Sequence, residues 1–244
     1  MPSTVVHVGF ALLLAASLLG PAYDRRALVV VVGAVAFLDL DAFVSLVVAN
    51  THRAAFHSLL LPGLAGALLY ADTRLADRSR FHDRYGDRGV RIVWVSLVAV
   101  VVSGIGLDLF GASGVNLLYP LVDQFYAFTG SVEWRSTGGF VQTFVEVRPP
   151  EGSAGGAGGG GTVDVGQKGS TREYRVATGV DPTEGRESPD VERTFPIVYA
   201  GWQVTLTLTG LVVTVLKLRW AESPLALGSK EPRGGPETLP NDDD

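Results

Sequence analysis

Residues 27–58 read ALVVVVGAVAFLDLDAFVSLVVANTHRAAFHS, and the fold turns on how this stretch is read. Residues 27–49 are apolar enough for a helix, and at ~1.5 Å per residue they span about 30 Å of hydrocarbon. Asp39 and Asp41 interrupt that run. Carboxylates at such a depth are costly unless they face a polar cavity, a partner or a metal. Directly after the run come His52, Arg53, His57 and Ser58, which include two of only four histidines in the chain. The stretch therefore predicts a membrane helix with a polar cluster at its mouth.

Working outward, the same apolar character recurs. Residues 4–22 form a first run; no Lys or Arg precedes it and His7 sits within it, which favours a retained helix over a cleaved signal. Asn50 or Thr51 is placed to cap a third run, 54–71, in which Pro62-Gly63 predicts a kink. Residues 90–110 form a fourth run ending near Asp108, and residues 197–216 a last one. Residues 111–130 are apolar but broken by Gly and Pro, as in a re-entrant or interfacial segment. The low-complexity glycine run at 152–161 predicts flexibility, and around it FVQTFVEV (140–147) and REYRVATGV (172–180) alternate as a hairpin would.

The expected fold class is all-α: a polytopic membrane helical bundle of about five spans, with a Gly-rich extracytoplasmic insertion that has room for a small β-hairpin. The expected division is a membrane domain at 1–130, the insertion at 131–196, a last transmembrane helix at 197–219 and a disordered cytoplasmic tail at 220–244. The bilayer is the expected partner. The net charge of −5 gives no basic field for nucleic acid, and the absence of cysteine excludes disulfides and thiolate metal sites. No phosphate loop and no nucleophile elbow occurs.

Positive residues gather on the cytoplasmic side of membrane proteins. With five spans, Arg25-Arg26, the arginines of 74–91 and Lys217/Arg219 all fall inside. The N-terminus is then outside, the C-terminus cytoplasmic, and the cell membrane is the expected location. That topology brings His7, Asp39, Asp41, His52, His57 and Asp108 to one outer level. Imidazole and carboxylate form the ligand set for zinc, iron or manganese, and a metal so held makes a nucleophile of its water near neutral pH. Arg53 suits an anionic oxygen and Ser58 a supporting hydrogen bond. Helix geometry argues against some pairs. His52 and His57, five apart, meet one metal only if His52 precedes the helix, and Asp39 and Asp41 face nearly opposite ways on a regular helix. His82 lies in the arginine-rich loop, away from this level.

These residues resemble the YdjM/YbcI-like family of membrane-bound proteins described as metal-dependent hydrolases. The likeness rests on His7-Val8-Gly9, Asp39-Leu40-Asp41, His52-Arg53-Ala54-Ala55-Phe56-His57-Ser58, and the block from Asp108-Leu109-Phe110 through Gly114-Val115 to Tyr119-Pro120. It covers about residues 4–121. Leu38 and Ala42 stand where the family often has Pro and His, Ala54 and Phe56 replace Gly and Thr, and Gly104 stands where a His is common. The resemblance implies a hydrolase and names no substrate.

Together these features lead to an expected metal-assisted hydrolysis of a lipid-linked or phosphate-ester substrate at the outer face. His7, His52, His57 and Asp108 would be ligands to a divalent metal, zinc first. Asp39 or Asp41 would be a ligand or the general base, and Arg53 would stabilise anionic charge. The alternative is a non-enzymatic membrane scaffold or binding protein whose polar cluster is structural. A transporter ranks last, because the cluster sits at one face rather than the midplane.

Overall fold

Asp24 starts the second helix for a local reason. Its carboxylate accepts a hydrogen bond from Ala27 N at 2.8 Å, satisfying one of the donors that a first helical turn leaves open. That bond is the main cause holding the Asp24 carboxyl below its ordinary range; the Arg88 guanidinium adds to it against the desolvation of partial burial.

The computed structural model describes residues 3–148, 162–183, 185 and 190–221. Its helices are α1 (Thr4–Leu18), α2 (Arg25–Ala36), the short α3 (Asp41–Val44), α4 (Leu60–Tyr70), α5 (Arg80–Ala99), the short α6 (Leu107–Leu109) and α7 (Gly201–Ala221). A 3-10 turn at Leu38–Leu40 joins α2 to α3, and π-helical turns extend α4 over Ala71–Leu75 and α5 over Val100–Gly106.

Among the described residues three segments are long and apolar enough to cross a membrane: Arg25–Val44, Arg80–Leu109 and Gly201–Trp220. The other two expected spans are shorter. α1 is apolar but has 15 residues, and α4 has 11 with a five-residue π-turn after it, about 22 Å of helix for the first and at most about 24 Å for the second, against ~30 Å of hydrocarbon. The expected kink at Pro62 is absent for a physical reason. α4 begins at Leu60, so Pro62 lies in the first turn, where a missing N–H costs no helical hydrogen bond. Asn50 and Thr51 do not cap it; residues 45–59 are turns and bends.

α1 is the hub. α7, α2, α5 and the π-turn at 100–106 all pack on it. Its Ala11 and Ala15, with Leu19 just past its end, join Val31 and Val35 of α2 and Val95 and Ala99 of α5 in one buried cluster. Against α7 the approach is closer still. A Cβ on Gly210 would lie 2.0 Å from Gly9 O, and one on Gly9 would lie 2.6 Å from Thr207 Cα. Only glycine permits that backbone separation.

The basic residues of the helices and of the turns that join them at 24–26 and 71–91 collect at one end of the bundle. Arg88 pairs with Asp24 beside Arg25 and Arg26. Lys217 donates to Ala16 O at the end of α1 and lies 4.4 Å from the Tyr23 ring centroid. The opposite end carries the start of α1, the 3-10 turn, the 51–59 turn and α6, covered by the chain from 111 onward. Leu59 N donates to Leu117 O at 2.8 Å and Asn116 N to Arg53 O at 2.9 Å.

The extended segments are short. β1 (Phe125–Tyr126) pairs with β6 (Gln167–Gly169), β2 (Val132–Arg135) with β3 (Gly139–Gln142), and β4 (Glu146–Arg148) with β5 (Thr162–Asp164), all antiparallel. The expected pairing of 140–147 with 172–180 does not form. Residue 140 instead faces Trp134 across a tight turn that ends at Gly139, with φ of 67°. A partner a few residues away is cheaper to close than one thirty away. The 111–130 segment is non-helical and lies over the site, with Val115 and Phe125 fully buried. The expected flexibility of 152–161 and nearly all of the expected tail fall outside the described residues.

Candidate functional site

Four pieces of chain converge at the end of the bundle away from the arginines. α1 supplies His7. The 3-10 turn and α3 supply Asp39 and Asp41. The 51–58 turn supplies His52, Arg53 and His57. The π-turn and α6 supply Ser103 and Asp108. All of these except Asp39 are buried, and Asp41, His57 and Asp108 have no exposure.

Asp41 is the organising carboxylate. Its Oδ1 accepts from His52 Nδ1 at 2.7 Å, and its Oδ2 from His57 Nδ1 at 2.8 Å and from the Arg53 amide at 2.9 Å. These three bonds explain the local backbone. Arg53 sits at φ 62°, a left-handed value uncommon for a non-glycine residue. Its amide is held by Asp41 and its carbonyl by Asn116 N, so the turn is fixed from both sides.

Asp108 lies on the other side of His57. Its Oδ2 is 3.3 Å from His57 Nε2, and its Oδ1 is 3.4 Å from His7 Nε2 and 2.7 Å from Arg53 Nη2. His7 is oriented from behind: its Nδ1 donates to Ser103 O at 2.6 Å, and the Ser103 hydroxyl donates back to His7 O. Both Nδ1 atoms thus face acceptors, a carbonyl for His7 and a carboxylate for His57. The Nε2 atoms of both imidazoles face Asp108. His7 Nε2, His57 Nε2 and Asp108 Oδ2 have no hydrogen-bond partner in the protein.

Asp39 stands at the edge. Its side chain is 26 % exposed, its Oδ1 lies 3.7 Å from His57 Nε2, and Thr4 donates to its Oδ2. The 3-10 turn between Leu38 and Leu40 is what lets Asp39 and Asp41, two apart, approach one imidazole from two sides. His52 and His57 both precede α4 and their ring centroids are 6.1 Å apart. His52 reaches the cluster through Asp41 rather than through Asp108. Ser58 is turned away from the cluster and supports the start of α4: it donates to Leu117 O and accepts from Leu60 N, each at 3.2 Å. His82 pairs with Asp87 at the arginine end.

Among the described residues no three His, Asp or Glu side chains already form a closed metal cage. The cluster instead holds three carboxylates and one guanidinium, which leaves two negative charges uncompensated while the imidazoles are neutral. A cavity of about 670 Å³ opens onto it, reaching Asp39, His52 and Arg53.

Ser103, Thr4 and Asn116 were not singled out by sequence. Ser103 lies five residues before Asp108, a spacing that a π-turn brings into one patch and an ordinary helix would leave off axis. Gly104 also gains an explanation. A Cβ there would lie 2.2 Å from Leu38 Cδ1, so Leu38 occupies the space that a side chain at 104 would need.

No match to the chain was found among curated proteins or among solved structures. A family model described as YdjM inner membrane protein matches residues 1–159, which contain every residue of the cluster. The chain belongs to the YdjM inner membrane protein family.

Proposed function

We propose that this protein is a membrane-bound, metal-dependent hydrolase that acts on a lipid-linked or phosphate-ester substrate at the outer face of the membrane. One observation carries the reading. Two buried imidazole Nε2 atoms face the oxygens of one carboxylate across 3.3–3.4 Å with no hydrogen bond between them. With both Nδ1 atoms protonated, lone pair would face lone pair, and a positive charge between them would relieve the repulsion. The two uncompensated negative charges of the cluster match a divalent cation, and donors on a tetrahedral zinc, bound at ~2.0–2.1 Å, lie about 3.3–3.4 Å apart.

The residues present fit such an ion. His7, His57 and Asp108 would hold it, with Asp39 completing the set or standing beside it. Ser103 O and Asp41 fix the two imidazoles in the tautomer that a ligand needs. When bound, the metal would supply a water of lowered pKa. Asp39, at the cavity edge, is placed to accept a proton there. Arg53, anchored on Asp108, offers positive charge to the oxygens that gain electron density. By the positive-inside tendency, the basic end of the bundle supports an orientation with the N-terminus and the site outside and the C-terminus in the cytoplasm.

The same facing atoms support a second reading. If His7 and His57 carry an extra proton each, the cluster is neutral without a metal and serves as a helix lock. Turnover separates the two. Wild-type protein in vesicles with zinc should hydrolyse hexadecyl 4-nitrophenyl phosphate, and Asp39→Asn should lower kcat by about 10²-fold with folding intact. Equal or absent release of nitrophenol in both proteins would remove the hydrolase reading for phosphate esters.

A further inference from the structure

The cavity that reaches the cluster has two kinds of wall. Its polar end presents Asp39, His52 and Arg53; its rim presents Leu40 and Phe43, which belong to the span-length segment Arg25–Val44. Phe43 is 56 % exposed, so this wall lies open at the level of the apolar helices. The facing wall comes from residues 177–182 and 192–199, through Val180, Pro182, Phe195 and Pro196 among others. This wall is built. A Cβ on Gly179 would lie 2.7 Å from Phe195 Cε1, so the ring lies against the bare glycine backbone. Arg193 donates to the Gly179 and Val180 carbonyls at 3.1 and 2.9 Å, tying the two pieces together. Arg175 and Ser45 then hold Asp181 at 2.7 and 3.3 Å, fastening the wall to the end of α3.

We propose that this wall determines specificity, and that the cavity takes one apolar chain of a membrane amphiphile carrying a phosphate-ester head. The hydrolysis it would serve rests on the reading above; the binding does not. A volume of about 670 Å³ falls within the ~300–1,000 Å³ of small-molecule sites. An apolar rim that ends in polar groups matches an amphiphile end to end: the chain lies between Phe43 and Phe195, and the head reaches His52 and Arg53. A soluble phosphate ester would leave the apolar part of the cavity unfilled. The wall lies beyond residues 1–159, the part matched by the family model, so the cluster belongs to the shared part of the chain and the wall to its remainder.

The test uses full-length protein in phosphatidylcholine nanodiscs and hexadecyl phosphate bearing a diazirine near the chain end, with adducts mapped by mass spectrometry. Labelling should fall on peptides containing Phe43 and residues 192–199. Excess hexadecyl phosphate should compete and glycerol phosphate should not. Val180→Trp, which fills the cavity, should reduce labelling at least fivefold, and Phe195→Ala, an exposed position that does not threaten folding, should do the same. Zinc content should be unchanged in both variants. Labelling confined to the lipid-facing side of α7, or insensitive to both substitutions, would overturn the proposal, as would equal competition by glycerol phosphate. Specific labelling of a protein that binds no metal would keep this proposal and remove the hydrolase reading.

Discussion

Gly104 and Leu38 show how two residues settle each other. Leu38 is buried and its Cδ1 occupies the place of a Cβ at 104. Gly104→Ala should therefore cost about 1–3 kcal/mol by overpacking, read as a lowered midpoint of thermal unfolding in mild detergent. Adding Leu38→Ala should recover part of that loss, so that the double variant is less destabilised than the sum of the two singles; strict additivity would contradict the contact. At this scale much of the cluster was legible. His7, Asp39, Asp41, His52, His57 and Asp108 share a depth that apolar run lengths and arginine positions define. Their pairing was not legible. Asp41 receives three hydrogen bonds because Arg53 adopts a left-handed backbone that brings its own amide to the carboxylate. No residue pattern announces such a turn at an arginine.

Among the elements, α1 and α7 depend on one close crossing. The Gly210 position meets the backbone of Gly9, and a backbone oxygen cannot rotate aside. Gly210→Ala should part the two helices and destabilise the protein by about 3 kcal/mol or more, beyond the usual overpacking range. Gly33→Ala in α2, where a Cβ meets nothing within 4 Å, is the control and should be neutral or slightly stabilising. Equal melting temperatures for the two variants would rule out the tight crossing. Hydropathy located α7 to within a few residues because its apolar character is sustained. It could not rank α1 and α4 against the longer spans, whose ends are set by the 3-10 and π-turns. Alternation at 140–147 did locate most of β3 and part of β4, but with the wrong partner; β2 escaped because it has four residues and every side chain is exposed. Without a buried face β2 offers no alternation to find.

At the scale of the whole molecule, the helix-borne charges are sorted along the bundle, with Arg25, Arg26, Arg88 and Lys217 at one end and the histidine–aspartate cluster, which keeps Arg53, at the other. The chain has no cysteine, so single cysteines introduced at Lys168 and at Arg78 give a clean accessibility experiment. In intact cells a membrane-impermeant maleimide should label Lys168→Cys and spare Arg78→Cys; the reverse pattern would invert the proposed orientation. The central proposal is narrower than orientation: that a divalent metal would sit among His7, His57 and Asp108. Elemental analysis of purified protein, equilibrated with zinc and then freed of excess, tests it most directly. The account predicts about one metal ion per chain in the wild type and a loss of nearly all of it in His57→Ala with the helical signal retained. The same trace metal content in both proteins would contradict it.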